Sequence, residues 1–218
     1  MKQTVEPKGL IVDFGGVLTT SIFDSFAAFY EAHGIDPRFA EEVLREAARE
    51  DGLMHQIETG SITEQEFNHL LADALSKGLE TPVDPEGLKE RMFSQVGPDP
   101  EMVQTVGRIK ASGFSTALLS NSWGSSGDYP RQLLNELFEA VVISGEVGLR
   151  KPDPKIYLMA AELIHLDPSD CVFVDDIRRN VEGAEAVGMR GVHHVSTPDT
   201  IRALEGLFEP EGARSEPG

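Results

Sequence analysis

Residues 9–14 read GLIVDF and run into Gly15-Gly16. The run is short, apolar, β-branched in part and closed by a turn signal, the pattern of a strand buried on both faces. Similar runs recur at 114–119, 140–143, 171–174 and 190–195. Among them, 101–111, 154–164 and 177–187 place apolar residues three and four apart, the period of a helix packed along one face. Parallel neighbours need a crossover, and the crossover helices cover both faces of the sheet. The alternation therefore predicts an α/β fold with a parallel sheet.

The stretch 20–96 breaks this alternation. It contains no convincing strand and shows helical periods at 23–32, 39–48, 62–75 and 87–96, with Thr63 and Glu66 spaced as a capping box at the head of the third. The expected organisation is a loose N-terminus over 1–8, a core from 9–19 and 97–208, a helical insert over 20–96 and a loose tail over 209–218. A length of 218 residues suits one domain plus such an insert.

Charge narrows the partners. The net charge is −18, and residues 20–98 carry 16 of the 37 acids against 6 of the 19 bases. Without a Lys/Arg-rich run, a chain this acidic is repelled by nucleic acid backbones and by anionic membrane surfaces, so neither is an expected partner. The lone Cys171 has no internal disulfide partner, and no run of 18 apolar residues is present. The expected location is cytoplasmic.

In an open parallel sheet, ligands gather beyond the carboxyl ends of the strands. Those ends supply Asp13, Ser120-Asn121 and Asp175-Asp176, and Lys151 lies in the loop after the third strand. Singly, each has an ordinary role as turn residue, helix cap or surface lysine. Their arrival at one edge is what carries information. Three gathered carboxylates repel one another unless a cation sits among them, and a hard all-oxygen set suits Mg²⁺. With Mg²⁺ and Lys151 screening the charge, Ser120 and Asn121 could donate hydrogen bonds to a phosphoryl group. An aspartate with an ordinary pKa of about 3.9 is ionised at neutral pH and could attack phosphorus without an auxiliary base.

The segments DFGGVLT (13–19), LLSNSW (118–123), GLRKPDPKIY (148–157) and VFVDDIRRNVEGAEAVGM (172–189) resemble the four ordered motifs of the haloacid dehalogenase-like hydrolases, over residues 9–207. HQIETGSITEQEF (55–67) is similar to the cap segment of bacterial glucose-1-phosphate phosphatases. SNSW, KPDPKIY and VDDIRRN are similar to the phosphatase domain of soluble epoxide hydrolases. The resemblance implies a Rossmann-like core with a C1-type helical cap. It also implies a Mg²⁺-dependent phosphatase acting on a small phosphorylated metabolite, a sugar phosphate being the first substrate expected. Asp13 would then be the nucleophile and Lys151 its bridge to the phosphoryl group held by Ser120 and Asn121. Asp13, Asp176 and the Gly15 carbonyl would be metal ligands, with Asp175 in or near the coordination sphere. Asn180, one helical turn beyond Asp176, is expected to hydrogen-bond the acidic pair.

One position departs from the pattern. The usual second aspartate, two residues after the nucleophile, is replaced by Gly15, and general acid–base help is worth about 10²- to 10⁴-fold in rate. Three readings remain: a phosphatase with another proton source, a hydrolase of C–X bonds (phosphonatase or dehalogenase), and a non-catalytic phosphate-binding or interaction protein. His55 is the insert's candidate proton donor. Trp123 is a candidate pocket-lining residue or a packing residue. Glycine at 15 would also admit a positive φ that a carboxylate-bearing residue resists. His33, His69, His193, His194 and Cys171 read as structural residues.

Overall fold

The structure, a computed structural model, describes residues 6–77, 79–124 and 129–208. The two terminal segments expected to be loose lie outside the described residues, apart from 6–8. Of these, Lys8 is tied down: its N–H donates to the Asp170 carbonyl at 2.8 Å and its ammonium pairs with the Asp170 carboxylate at 2.9 Å.

Five strands, β1 (Gly9–Val12), β2 (Ser115–Ser120), β3 (Ala140–Ile143), β4 (Cys171–Asp175) and β5 (Arg190–His193), form one parallel sheet in the order β3-β2-β1-β4-β5. Strand pleating sends alternate residues to opposite faces. Leu10 and Val12 pack with Met102, Val106 and Ile109 of α6 (Pro100–Ala111), Leu134 of α7 (Arg131–Leu137) and Leu204 of α11 (Thr197–Phe208). Ile11 faces the other way, toward Ile156, Tyr157 and Ala160 of α9 (Pro154–Leu163) and Ala184 of α10 (Arg178–Ala186). This is the α/β layering that the hydrophobic runs predict.

The chain leaves the sheet after β1, builds α1 (Ile22–Ala32), α2 (Pro37–Ala47), α3 (Leu53–Glu58), α4 (Glu64–Leu75) and α5 (Leu88–Met92), and returns. The outgoing and returning segments meet at an antiparallel bridge between Thr19 and Pro98, with Thr20 N–H donating to the Gly97 carbonyl at 2.8 Å. Phe26, Phe29, Ala40, Ile57, Phe67, Leu71, Leu88 and Met92 give the five helices a hydrophobic cluster of their own. The expected capping box is present: Glu66 N–H donates to Thr63 Oγ1 at 3.2 Å and Thr63 N–H to Glu66 Oε2 at 2.8 Å.

Boundaries differ from expectation in physical ways. α5 stops at Met92 instead of continuing to Val96, since the chain must turn there to meet Thr20 at Gly97. α3, α7, α11 and the single turn α8 (Ser144–Val147) were not anticipated; α3 and α8 are too short to display a helical period.

Candidate active site

Register levels the strand ends. Val12 pairs with Leu118 on one side and Val174 on the other, so Asp13, Leu119 and Asp175 emerge side by side. Asp13 N–H still donates to the Val174 carbonyl at 2.9 Å, which pins the first residue beyond β1 to the sheet.

Lys151 fills the space between these ends. Its fully buried ammonium donates to Asp13 Oδ1 at 2.9 Å, Asp175 Oδ2 at 2.6 Å and the Leu119 carbonyl at 3.0 Å, so all three of its donors are used. Burial works to lower the Lys151 pKa, but Asp13 and Asp175 outweigh it and the net displacement is upward. Lys151 is therefore a fixed positive charge and not a proton carrier.

Asp175 is saturated by its own surroundings. Oδ1 accepts from Ile177 N–H at 2.8 Å and Asn180 Nδ2 at 3.0 Å, while Oδ2 accepts from Lys151 and from Asn180 Nδ2 at 3.1 Å. The hydrogen bond expected from Asn180 thus lands on Asp175 and locks its plane. With its lone pairs so occupied, Asp175 is built to aim Lys151 more than to hold an ion directly. Asp13 has spare capacity: Oδ1 takes Lys151 and the Phe14 N–H at 2.7 Å, which leaves Oδ2 without a protein donor among the described residues.

One oxygen each from Asp13, Asp175 and Asp176 lies within 4.8 Å of the others. Burial is the largest influence raising Asp13, to about 8, with Asp175 and Asp176 adding to it and Lys151 opposing. Burial and then Asp175 raise Asp176 to about 6. Three crowded carboxylates against one ammonium form an oxygen-donor set short of positive charge, which fits a hard divalent cation. The Gly15 carbonyl accepts no hydrogen bond among the described residues.

The loop after Asp13 corrects one expectation. The positive φ belongs to Gly16, at +73°, and not to Gly15. A Cβ on Gly16 would stand 2.3 Å from Asp176 Oδ2, so glycine is required there both for conformation and for space. A Cβ on Gly15 would meet Ile22 Cδ1 at 2.4 Å, the movable tip of a side chain. The place of the usual acid is covered by a methyl group.

Ser120 is buried, its Oγ 3.0 Å from the Tyr129 hydroxyl. Asn121 is held by the Lys151 backbone: Oδ1 accepts from Lys151 N–H at 2.9 Å and Nδ2 donates to the Lys151 carbonyl at 3.2 Å. Its second Nδ2 hydrogen reaches into the helical insert, to Glu58 Oε2 at 3.1 Å. Arg150 Nε lies 2.7 Å from the same oxygen. Burial pushes Glu58 up to about 7 against the pull of Arg150 and Lys151.

The insert brings the Glu58 carboxylate to this edge, close to one helical turn from the expected His55. The His55 imidazole makes no hydrogen bond or ion pair among the described residues. The two are three positions apart on α3, and the carboxylate is the one that Asn121 and Arg150 engage. Trp123 packs its ring against Phe26, Phe67 and Phe93 at centroid distances of 5.3, 5.3 and 5.4 Å. It is an anchor from the β2 loop into the insert's core. Sequence reasoning missed Glu58 and Arg150. The signal available was a glutamate inside 55–67 and an arginine beside Lys151, two opposite charges on segments already singled out.

The description "haloacid dehalogenase-like hydrolase" belongs to the family model that matches residues 7–188. Bifunctional epoxide hydrolase 2 of Sus scrofa is 26% identical over 212 residues, 91% of this chain but 38% of that protein, so the chain spans well under half of this relative's length. The glyceraldehyde 3-phosphate phosphatase of Methanopyrus kandleri is 26% identical, covering 83% of this chain and 85% of its own. (S)-2-haloacid dehalogenase 4A of Burkholderia cepacia is 25% identical, covering 80% and 82%. Among solved structures, an enzyme of the same family from Bacteroides thetaiotaomicron, in complex with magnesium and inorganic phosphate, superposes with a TM-score of 0.60 at 23% identity, covering 86% of this chain and 93% of that one. That likeness speaks to the fold.

Proposed function

The chain belongs to the haloacid dehalogenase-like hydrolase family, and from that premise we propose that it is a Mg²⁺-dependent phosphatase of a small phosphorylated metabolite. The observation that carries this reading is the Lys151 ammonium held between Asp13 and Asp175, with Asp176 completing a carboxylate cluster that one lysine cannot neutralise. Asp13, Asp176 and the Gly15 carbonyl would hold Mg²⁺, whose part is to neutralise charge on the phosphoryl oxygens.

The protein's own residues do the rest. Asp13 Oδ2, which accepts from no donor among the described residues, is the attacking oxygen, and Lys151 fixes its carboxylate plane through Oδ1. Ser120 Oγ and Asn121 Nδ2 donate to phosphoryl oxygens. Attack forms an aspartyl-phosphate as the P–O bond to the leaving group breaks, and water then returns Asp13 and releases phosphate. Residues 20–96 act as a cap that excludes bulk water, which favours small substrates, with sugar phosphates first among them.

C–X bond hydrolysis is the second reading, favoured by the absence of an acid at Gly15 and by the dehalogenase relative. It ranks lower because halide displacement from a haloacid needs no metal ion, whereas the paired Asp175 and Asp176 beside Asp13 form a carboxylate cluster suited to one. Aryl phosphate hydrolysis with and without EDTA, beside halide release from a 2-haloacid, separates the readings. Metal-dependent phosphate release supports the phosphatase; metal-independent halide release overturns it. Turnover of neither, with a phosphorylated metabolite still bound, would leave the non-catalytic reading.

A further inference from the structure

An in-line displacement at phosphorus places the leaving oxygen opposite the attacking Asp13 oxygen. Gly15 offers that oxygen no proton, and Ile22 Cδ1 covers the space where its side chain would begin. The buried acid that the insert brings to this edge is Glu58, 5% exposed at the last residue of α3. Its position relative to the phosphoryl site follows from Asn121. Of the two Nδ2 hydrogens, one is committed to the Lys151 carbonyl and the other to Glu58 Oε2. A phosphoryl oxygen that accepts from Asn121 must take the place of Glu58 Oε2 or lie beside it, so substrate and Glu58 come into contact.

We propose that Glu58 is the proton donor to the leaving oxygen and the base in the second half-reaction. This rests on the phosphatase reading above. In the first step Asp13 Oδ2 bonds to phosphorus, the P–O bond to the leaving group breaks, and the Glu58 proton passes to the departing oxygen, releasing a neutral alcohol. In the second, Glu58 carboxylate takes a proton from water as its oxygen bonds to phosphorus and the Asp13–P bond breaks. Phosphate departs and Glu58 is protonated again.

The surroundings suit both forms. Arg150, from the loop before α9, sits 2.7 Å from the carboxylate and stabilises it, while burial favours the acid and holds the balance near neutrality. A phosphoryl dianion arriving beside Glu58 tips it toward the acid, the form the first step needs. Arg150 and Lys151 are the charged groups that act on it, with hydrogen bonding from Trp123 and Asn121.

The test compares leaving groups in single turnover. Glu58→Gln should slow leaving-group release from alkyl phosphates about 10²-fold or more and leave release of nitrophenolate from an aryl phosphate within about 3-fold, because that group needs no proton. Hydrolysis of the trapped aspartyl-phosphate should also slow. An equal loss on both substrates, or no loss, would overturn the proposal while leaving the phosphatase reading intact. A wild type that hydrolyses no phosphomonoester would remove both. Should Glu58→Gln fail to fold, the wild type still decides: its release rate should fall as pH rises above neutrality for alkyl and not for aryl phosphates, and matching profiles would overturn the assignment.

Discussion

Lys151 Nζ donates to Asp175 Oδ2 at 2.6 Å, and both side chains are entirely buried. A buried ion pair is costly to assemble and more costly to break from one side, because the surviving charge keeps its desolvation and loses its partner. Lys151 also serves Asp13, so a single substitution takes the neutralising ammonium from two buried carboxylates. Lys151→Met should destabilise the metal-free protein by about 3–5 kcal/mol in urea denaturation and remove activity; a loss under about 1 kcal/mol would mean that water reaches the cluster and the pair is not structurally binding.

The same crowding sets a pH dependence. Asp13 and Asp176 are raised above the ordinary 3.8, to about 8 and about 6. A raised carboxyl keeps its proton longer in the folded than in the unfolded state. The metal-free protein therefore loses stability at this site as pH climbs from about 4, and the loss is complete above about 8. Mg²⁺ replaces those protons, so its effect on the melting temperature should be larger at pH 8 than at pH 5. Equal shifts at both pH values would contradict a cation held by these carboxylates.

Asp13→Asn removes the anionic oxygen with little change of volume. Phosphate release should fall by at least about 10³-fold, with the far-ultraviolet spectrum and melting transition of a folded protein retained. Turnover near the wild-type rate would exclude a covalent step on Asp13.

Adjacent glycines should behave oppositely. Gly16→Ala forces a side chain into a left-handed conformation and against Asp176 Oδ2, so it should cost about 1–2 kcal/mol and weaken Mg²⁺ binding in a calorimetric titration. Gly15→Ala meets only the tip of Ile22 and should stay within about 1 kcal/mol of wild type. Gly15→Asp, paired with Ile22→Ala to clear the space, should flatten the dependence of rate on leaving-group basicity. If Gly16→Ala binds Mg²⁺ as the wild type does, Asp176 is not a ligand.

Much of this protein is legible in one dimension. Strands buried on both faces must be apolar throughout, so 9–14 and 171–174 announce a parallel sheet. The need for chemistry at strand ends then singles out Asp13, Ser120, Asn121, Asp175 and Asp176. What the sequence could not decide is which polar groups satisfy one another. Asn180 lies one helical turn from Asp176 yet bonds Asp175, because only the packing of α10 on β4 determines which carboxylate its amide meets. The conformational demand attributed to Gly15 falls on Gly16, since a turn's φ angles depend on where Asp176 approaches it from a strand more than 150 residues away. His55 and Glu58 lie about one turn apart on the same short helix, and the docking of α3 against α8 and the β2 loop decides that it is the carboxylate which meets Asn121 and Arg150. Local pattern determines the elements and the chemistry available at their ends; long-range contact alone determines which of those groups face one another.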